Sequence, residues 1–156
     1  MIDIGKKAPS FSLSSDRDET ISSSDLAGQP YVLFFYPKDD TSGCTKEAIA
    51  FTEHRGAFDA LNIQVLGVSP DSVSSHQKFK KKHDLNVTLL VDEEHALADA
   101  YGVWVEKNMY GRKYMGIERS TFLVDGTGKL AEAWRKVKVP GHVEAVLLAA
   151  QKLAAT

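Results

Sequence analysis

The fold is decided by the stretch Tyr31-Val32-Leu33-Phe34-Phe35-Tyr36-Pro37. Six large apolar residues follow one another there without polar alternation. Such a run predicts a strand that is buried on both faces, as in a parallel sheet covered by helices. Because proline cannot donate to a ladder of hydrogen bonds, the strand is expected to end at Pro37. The first core strand is therefore placed at residues 31–36.

A second buried strand is predicted at residues 63–68, which precede Ser69 and Pro70. Residues 44–60, between the two strands, suit a helix. A strand, a helix and a second strand in this order form a βαβ unit, and its crossover is expected to be right-handed. This unit indicates an α/β protein.

The remaining sequence extends this α/β pattern. The predicted elements are a helix from a cap at Asp71 or Ser72 to about His83, a strand at 87–91, a short helix at 94–101, a hairpin of 121–124 with 129–134, and a last helix at 141–155. The first 30 residues suit loops or a short hairpin, and residues 106–116 suit a long polar and aromatic connection of the kind that often has a functional part. The sequence therefore predicts a central mixed β-sheet flanked by helices, in a single domain over residues 1–156.

Composition excludes several classes of function. The chain has 156 residues, of which 43% are hydrophobic and 26% charged, and its formal net charge is −2. No global positive field therefore recruits nucleic acid or an anionic membrane. The longest run of large apolar residues is far shorter than the roughly 18 residues of a membrane span. The N-terminus has no apolar signal region, so a cytoplasmic location is expected.

Cysteine usage is the sharpest compositional feature, because Cys44 is the single cysteine. One cysteine forms no internal disulfide and supplies no zinc site built on two or more thiolates. Cys44 lies just after the first core strand and in the first turn of the predicted helix. A helix N-terminus favours an anion, so this position favours a thiolate. Glu47 opposes that effect unless a cation offsets it, and a small buried hydrophobe is the alternative interpretation.

Other cysteine chemistries are tested by spacing. A dithiol redox motif needs a second cysteine at position 47, where the chain has Glu47, and a phosphatase cradle needs an arginine at position 50, where it has Ala50. A protease-type nucleophile needs a histidine base. The histidines are expected to be mostly surface residues without a catalytic part: His54, His76, His83, His95 and His142.

The segment around Cys44 resembles the peroxiredoxin family. Pro37, Thr41 and Cys44 reproduce its spacing of proline, three residues, threonine, two residues and cysteine. Residues 118–123, Glu-Arg-Ser-Thr-Phe-Leu, resemble the family's segment with its active-site arginine. Gly43-Cys44-Thr45 and residues 107–111 resemble the Q-type branch, known as the bacterioferritin comigratory proteins. The resemblance extends over essentially the whole chain.

This resemblance implies a thioredoxin-like fold and thiol-dependent reduction of hydrogen peroxide and organic hydroperoxides. Cys44 would be the peroxidatic cysteine, which attacks a peroxide oxygen as a thiolate and becomes a sulfenic acid. Arg119 would stabilise the thiolate and the peroxide oxygens, and the Thr41 hydroxyl would hydrogen-bond to both. No metal, haem, flavin or other cofactor is expected.

The resemblance also implies a substrate pocket around the reactive sulfur. Pro37, Thr41, Gly43 and Glu47 would line it, with Pro37 shielding the pocket and Glu47 orienting Arg119. As a helix cap, Thr41 also has a purely structural interpretation. The same is true of Pro37 as the end of a strand.

The sequence departs from many Q-type relatives in having no resolving cysteine. Ile49 stands five residues after Cys44, and residues 79–81 on the next helix read Phe-Lys-Lys. A one-cysteine peroxidase is therefore expected, with its sulfenate resolved by thioredoxin, by glutaredoxin with glutathione, or by a small thiol. A monomer that binds neither nucleic acid nor membrane is expected. Two alternatives stay open, namely a non-catalytic binding or holdase module and a redox sensor that passes oxidation to a partner thiol.

Overall fold

A computed structural model describes residues 2–155 and gives the protein nine strands and four α-helices within that range. In chain order the elements are β1 (Ser12–Ser14), β2 (Thr20–Ser22), β3 (Tyr31–Phe35), α1 (Ser42–Ala60), β4 (Gln64–Ser69), α2 (Val73–His83), β5 (Thr88–Val91), α3 (Ala96–Ala100), β6 (Trp104–Met109), β7 (Arg112–Ile117), β8 (Ser120–Val124), β9 (Leu130–Trp134) and α4 (His142–Ala154). A short 3-10 helix, Ser23–Leu26, follows β2.

The central sheet has five strands in the order β5-β4-β3-β8-β9. Strands β3, β4 and β5 are parallel, whereas β8 pairs antiparallel with β3 and with β9. Tyr31 lies opposite Gln64 on one side and Val124 on the other. The predicted α/β class and central mixed sheet are confirmed.

Strand β3 is buried along its whole length, and its side chains divide the core between the two faces of the sheet. Leu33 and Phe35 point to the face that α3 covers. Val32 and Phe34 point to the face that α1, α2 and α4 cover. This division explains why the six-residue apolar run has no polar alternation.

The predicted connection at residues 106–116 is instead an antiparallel hairpin, and that prediction is wrong. Strands β6 and β7 form a separate two-stranded sheet. Tyr110 and Gly111 form its two-residue turn, both with positive φ (53° and 78°), as hairpin turns of this length require. Most side chains of the hairpin are exposed. The sequence therefore lacks the apolar alternation by which strands are recognised.

The other predicted elements differ from the observed ones at their ends. Helix α1 begins two residues before Cys44, at Ser42, and α3 is shorter than the predicted helix at 94–101. Helix α3 begins late because the Asp92 carboxylate accepts hydrogen bonds from the backbone N–H groups of Leu97 and Ala98, at 3.2 and 2.9 Å. Within residues 2–155, no helix has the length and apolar character needed to cross a membrane.

Candidate active site

Cys44 is the third residue of α1 and lies beyond the carboxyl end of β3. Its side chain is only 1% exposed. Thr41 is the N-cap residue, with an extended backbone (φ −89°, ψ 157°) that turns the chain into the helix. The sulfur therefore lies at the positive end of the α1 dipole, as the sequence predicts.

Arg119 reaches the sulfur from the segment between β7 and β8. Its Nη2 donates a hydrogen bond to the Cys44 Sγ over 3.1 Å, and its Nη1 donates to the Glu47 Oε1 over 2.8 Å. Burial disfavours the charged guanidinium, but the charges of Glu47 and Cys44 and the hydrogen bonds to them favour it more strongly. The pKa of Arg119 is therefore raised. The structure thus supplies the cation that the sequence argument required beside Glu47.

Gly43 makes this approach of Arg119 possible. A Cβ atom at position 43 would lie 3.1 Å from Arg119 Nη2 and 3.7 Å from its Cζ, which is tighter than ordinary packing. Any side chain larger than hydrogen would therefore press on the guanidinium that contacts Cys44.

Glu47 is fully buried one turn after Cys44. Its Oε1 accepts the bond from Arg119, whereas its Oε2 has no hydrogen-bond partner. Burial raises the pKa of Glu47 to about 7, although the charge and hydrogen bond of Arg119 act in the opposite direction. The carboxyl group is therefore poised to hold or release a proton near neutral pH.

His142 faces this second oxygen of Glu47, a placement that no pattern in the sequence predicts. Its Nε2 lies 3.8 Å from Glu47 Oε2 and 2.8 Å from Thr121 Oγ1. Burial and the charge of Arg119 lower the pKa of His142 to about 4, although Glu144 raises it, so the ring is neutral near pH 7. The expectation of mostly surface histidines is wrong for His142 and for His76, which are both buried. No local sequence signal marks His142, because α4 begins at this residue far along the chain from Cys44.

Pro37 and Thr41 precede Cys44 in the chain, and the structure shows no hydrogen bond from Thr41 to the sulfur. The Thr41 hydroxyl donates instead to the backbone carbonyl of Lys38 over 2.9 Å. A hydroxyl has one proton, so bonding to a thiolate requires the Thr41 hydroxyl to rotate away from Lys38. Pro37 is half-buried, and β3 ends at Phe35, one residue earlier than the predicted strand of residues 31–36.

Lys107 adds a second cation from strand β6. Burial and the charge of Arg119 lower the pKa of Lys107, whereas Cys44 and Glu118 act in the opposite direction. Its side chain therefore lies within electrostatic range of the sulfur. The sequence predicts a functional connection at residues 106–116, but it assigns Lys107 no part in it.

A buried network ties the Cys44 loop, defined here as residues 36–41, to helix α2. The Asp39 carboxylate accepts hydrogen bonds from the hydroxyls of Tyr36 and Ser75, at 2.6 and 2.8 Å. His76 Nδ1 lies 2.7 Å from the same carboxylate, and His76 Nε2 lies 2.8 Å from the carbonyl oxygen of Leu90. Since a carbonyl only accepts, Nε2 carries a proton, and Asp39 with His76 forms a buried ion pair.

Comparison with known proteins gives the same relatives by sequence and by structure. The AhpC/TSA family model matches residues 4–133. The peroxiredoxin Bcp of Bacillus subtilis (strain 168) is 53% identical over 146 residues, which cover 94% of this chain and 93% of that protein. The peroxiredoxin Bcp of Escherichia coli (strain K12) is 37% identical over 143 residues, 92% of each chain.

Solved structures of Q-type proteins superpose on nearly the whole chain. The bacterioferritin comigratory protein of Xanthomonas campestris, studied for its alkyl peroxide reduction, has a TM-score of 0.91 and 41% identity, with 97% of this chain and 99% of that chain covered. A mutant of the Xylella fastidiosa Q-type protein has a TM-score of 0.93 and 40% identity, with 97% of each chain covered.

A thioredoxin-like fold that buries a cysteine against an arginine at a helix N-terminus defines a thiol peroxidase. The chain belongs to the AhpC/TSA family of peroxiredoxins, within the branch of the Bcp or Q-type proteins. It has one cysteine, Cys44. Peroxiredoxin activity implies a hydroperoxide substrate and a thiol reductant.

Proposed function

We propose that Cys44 is the peroxidatic residue and that Arg119 is its main electrostatic partner. The observation that carries this proposal is the 3.1 Å hydrogen bond from Arg119 Nη2 to the sulfur. The thiolate attacks one peroxide oxygen, the O–O bond breaks, and Cys44 becomes a sulfenic acid while the other oxygen leaves as an alcohol or water. Arg119 stabilises the negative charge as it moves from sulfur to oxygen.

The loop and helix residues around the sulfur complete the proposed pocket. Pro37 limits the access of water, and Gly43 leaves room for Arg119. Thr41 donates to the sulfur or to the peroxide once its hydroxyl turns from Lys38. Glu47 orients Arg119 through the 2.8 Å ion pair.

The proposed cycle closes through a thiol from outside the chain. Because Cys44 is the single cysteine, the sulfenic acid has no partner in the same molecule. Thioredoxin, glutaredoxin with glutathione, or a small thiol forms a mixed disulfide with Cys44, and a second thiol then releases the reduced enzyme. A reduced thiol pool is typical of the cytoplasm, which is the proposed location. The proposed working form is a monomer, because each chain contains its own Cys44 and Arg119.

The substrate class follows from the apolar surroundings of the sulfur. The side chain of Cys44 belongs to a core cluster with Ala48 and Phe51. The neighbouring hairpin exposes Tyr114 and Met115. These surroundings favour alkyl hydroperoxides in addition to hydrogen peroxide, as in the Xanthomonas relative.

Steady-state peroxide consumption tests this function. Substoichiometric enzyme is supplied with hydrogen peroxide or tert-butyl hydroperoxide and with thioredoxin, glutaredoxin plus glutathione, or dithiothreitol as the donor. We expect many turnovers per enzyme with at least one donor. Cys44→Ser is expected to abolish consumption, whereas Ser42→Ala, in the same helical turn, is expected to retain it. Peroxide consumption by folded Cys44→Ser equal to the wild-type rate would overturn the proposal.

A further inference from the structure

Two acidic groups, the Cys44 thiol and the Glu47 carboxyl, contact the same guanidinium of Arg119 at the buried centre of the site. Cys44 and Glu47 are 1% and 0% exposed, and both accept hydrogen bonds from the guanidinium of Arg119. If both acids were ionised, two buried negative charges would share this cation. A buried charge without its own partner is strongly disfavoured. The geometry therefore favours one negative charge and one proton across the pair.

The proton has a defined place on Glu47. Oε1 is occupied by Arg119, but Oε2 is buried and has no hydrogen-bond partner. A carboxylate oxygen in such a position lacks the donors that normally stabilise its charge, and a proton on this oxygen removes that charge. Oε2 is therefore the atom that holds the proton.

The groups that face this pair from other elements leave the balance of charge unchanged. From α4, His142 faces Oε2 at 3.8 Å, and its neutral ring adds no positive charge. From β6, the charge of Lys107 interacts electrostatically with Arg119 and Cys44. The charge of Glu118 interacts in turn with Lys107. Lys107 is part-exposed, so solvent screens its charge.

We propose that Glu47 stores one proton while Cys44 is a thiolate and releases it when Cys44 is oxidised, so that the oxidation step needs no proton from solvent. This inference rests on the proposed peroxidatic role of Cys44. It gives Glu47 a part beyond the orientation of Arg119.

The step balances in atoms and charge. The Cys44 thiolate, a hydroperoxide ROOH and the Glu47 carboxylic acid give the Cys44 sulfenic acid, the alcohol ROH and the Glu47 carboxylate. The S–O bond forms as the O–O bond breaks, sulfur is oxidised, and the peroxide is reduced. The leaving oxygen gains one proton and Glu47 loses one. Since the sulfur no longer carries a charge, Arg119 then pairs with the Glu47 carboxylate alone.

The proton count of a single oxidation tests the proposal. Reduced enzyme is mixed with one equivalent of hydrogen peroxide in weak buffer at about pH 8. This pH lies above the pKa of about 7 that burial gives Glu47, so a Glu47 carboxylate left by the reaction stays ionised. A pH indicator reports proton uptake, absorbance at 240 nm reports the initial thiolate, and mass spectrometry reports Cys44 oxidation. We expect wild-type enzyme to take up far less than one proton for each thiolate oxidised, and Glu47→Gln to take up about one.

Glu118→Gln is the matched control, because it removes an acid directly beside Arg119 that has no hydrogen bond to the guanidinium. It is expected to behave as the wild-type enzyme. Uptake of one proton for each thiolate oxidised in the wild-type enzyme would overturn the storage role, even if Glu47→Gln failed to fold. Absence of Cys44 oxidation would instead refute the proposed function, so the two failures are distinguishable. The reduced wild-type enzyme should also show an infrared band of a protonated carboxylic acid. Absence of that band would overturn the proposal.

Discussion

At the scale of single residues, Arg119 is the side chain on which the proposed chemistry of Cys44 depends most. An ordinary thiol is roughly 3% ionised at pH 7, so complete ionisation increases its reactivity by only about 30-fold. Any larger rate advantage must come from donors that stabilise charge on the breaking O–O bond. Arg119 is placed for both effects, because its Nη2 already contacts the sulfur at 3.1 Å.

Arg119→Met is therefore expected to lower the rate constant for Cys44 oxidation by about 100-fold or more after correction for the measured thiolate fraction. Stopped-flow oxidation with hydrogen peroxide gives the rate, and absorbance at 240 nm gives the thiolate fraction. Arg112→Met, on the exposed part of the hairpin, is the control and should retain the wild-type rate. An unchanged corrected rate in Arg119→Met would remove Arg119 from the transition state.

Thr41, unlike Arg119, does not contact the sulfur in the structure, because its hydroxyl donates to the Lys38 carbonyl. If the hydroxyl rotates towards the sulfur during reaction, Thr41→Val should lower the corrected oxidation rate by about tenfold, the loss of one hydrogen bond to a charged group. Thr41→Ser retains a hydroxyl and should stay near the wild-type rate. Equal rates for the serine and valine variants would show that Thr41 acts only through the backbone of the loop.

Among the elements, the strands of the central sheet pack through close side-chain contacts that tolerate little change at Gly67. A Cβ atom at Gly67, in β4, would lie 2.7 Å from side-chain atoms of both Phe34 and Leu89. By contrast, a Cβ atom at Gly56, on the exposed side of α1, would meet nothing within 4 Å. The same substitution therefore has opposite expected effects at the two positions.

Gly67→Ala is expected to lower the free energy of unfolding by about 2 kcal/mol, because the core must shift to admit the methyl group. Gly56→Ala is expected to raise it by up to about 1 kcal/mol, because alanine favours a helix over glycine. Urea denaturation measures both changes. A stable Gly67→Ala protein would contradict the packing described between β4 and its neighbours.

The Asp39–His76 pair connects two elements, the Cys44 loop and α2. Burial opposes the charged form of His76, but the hydrogen bond and charge of Asp39 outweigh it, so the pKa of His76 is raised. A histidine whose pKa is raised by folding stabilises the protein below its unfolded pKa of about 6.5. That contribution is lost as pH rises through the folded pKa.

His76→Gln is therefore expected to lower the free energy of unfolding by roughly 3 kcal/mol at pH 6, the effect of breaking a buried ion pair. The difference from wild type should decrease as pH rises above about 6.5. Urea denaturation at several pH values measures it, with His54→Gln on α1 as the control. A difference that stays constant with pH would mean that His76 is neutral in the folded protein.

At the scale of the whole molecule, the single cysteine determines what happens when reducing thiols are absent. The sulfenic acid then has no thiol in its own chain with which to condense, and excess peroxide oxidises it further. We expect mass spectrometry to show Cys44 sulfinic acid accumulating as peroxide is titrated without thiol. Dithiothreitol present during the titration should prevent that product. A disulfide-linked dimer as the main product would show that a second copy resolves the sulfenic acid.

Local sequence was sufficient to predict much of the core and part of the site. The apolar run at residues 31–36 predicts β3 because burial on both faces excludes polar residues from it. The short segment from Pro37 to Cys44 likewise predicts the loop and the first turn of α1. The hairpin of β6 and β7 escaped prediction, because exposed strands do not require the apolar alternation that identifies them.

Sequence alone was enough for the α/β class, the position of Cys44 at a helix N-terminus and the count of one cysteine, since each depends on neighbouring residues or on composition. Three features are visible only in the folded protein: Arg119 touches the sulfur, Glu47 keeps a buried oxygen without a hydrogen-bond partner, and His142 faces that oxygen. The physical reason is that charge and desolvation depend on which distant segments pack together. That packing arises where α1 and α4 meet on one face of the sheet, beside the segment that leads into β8.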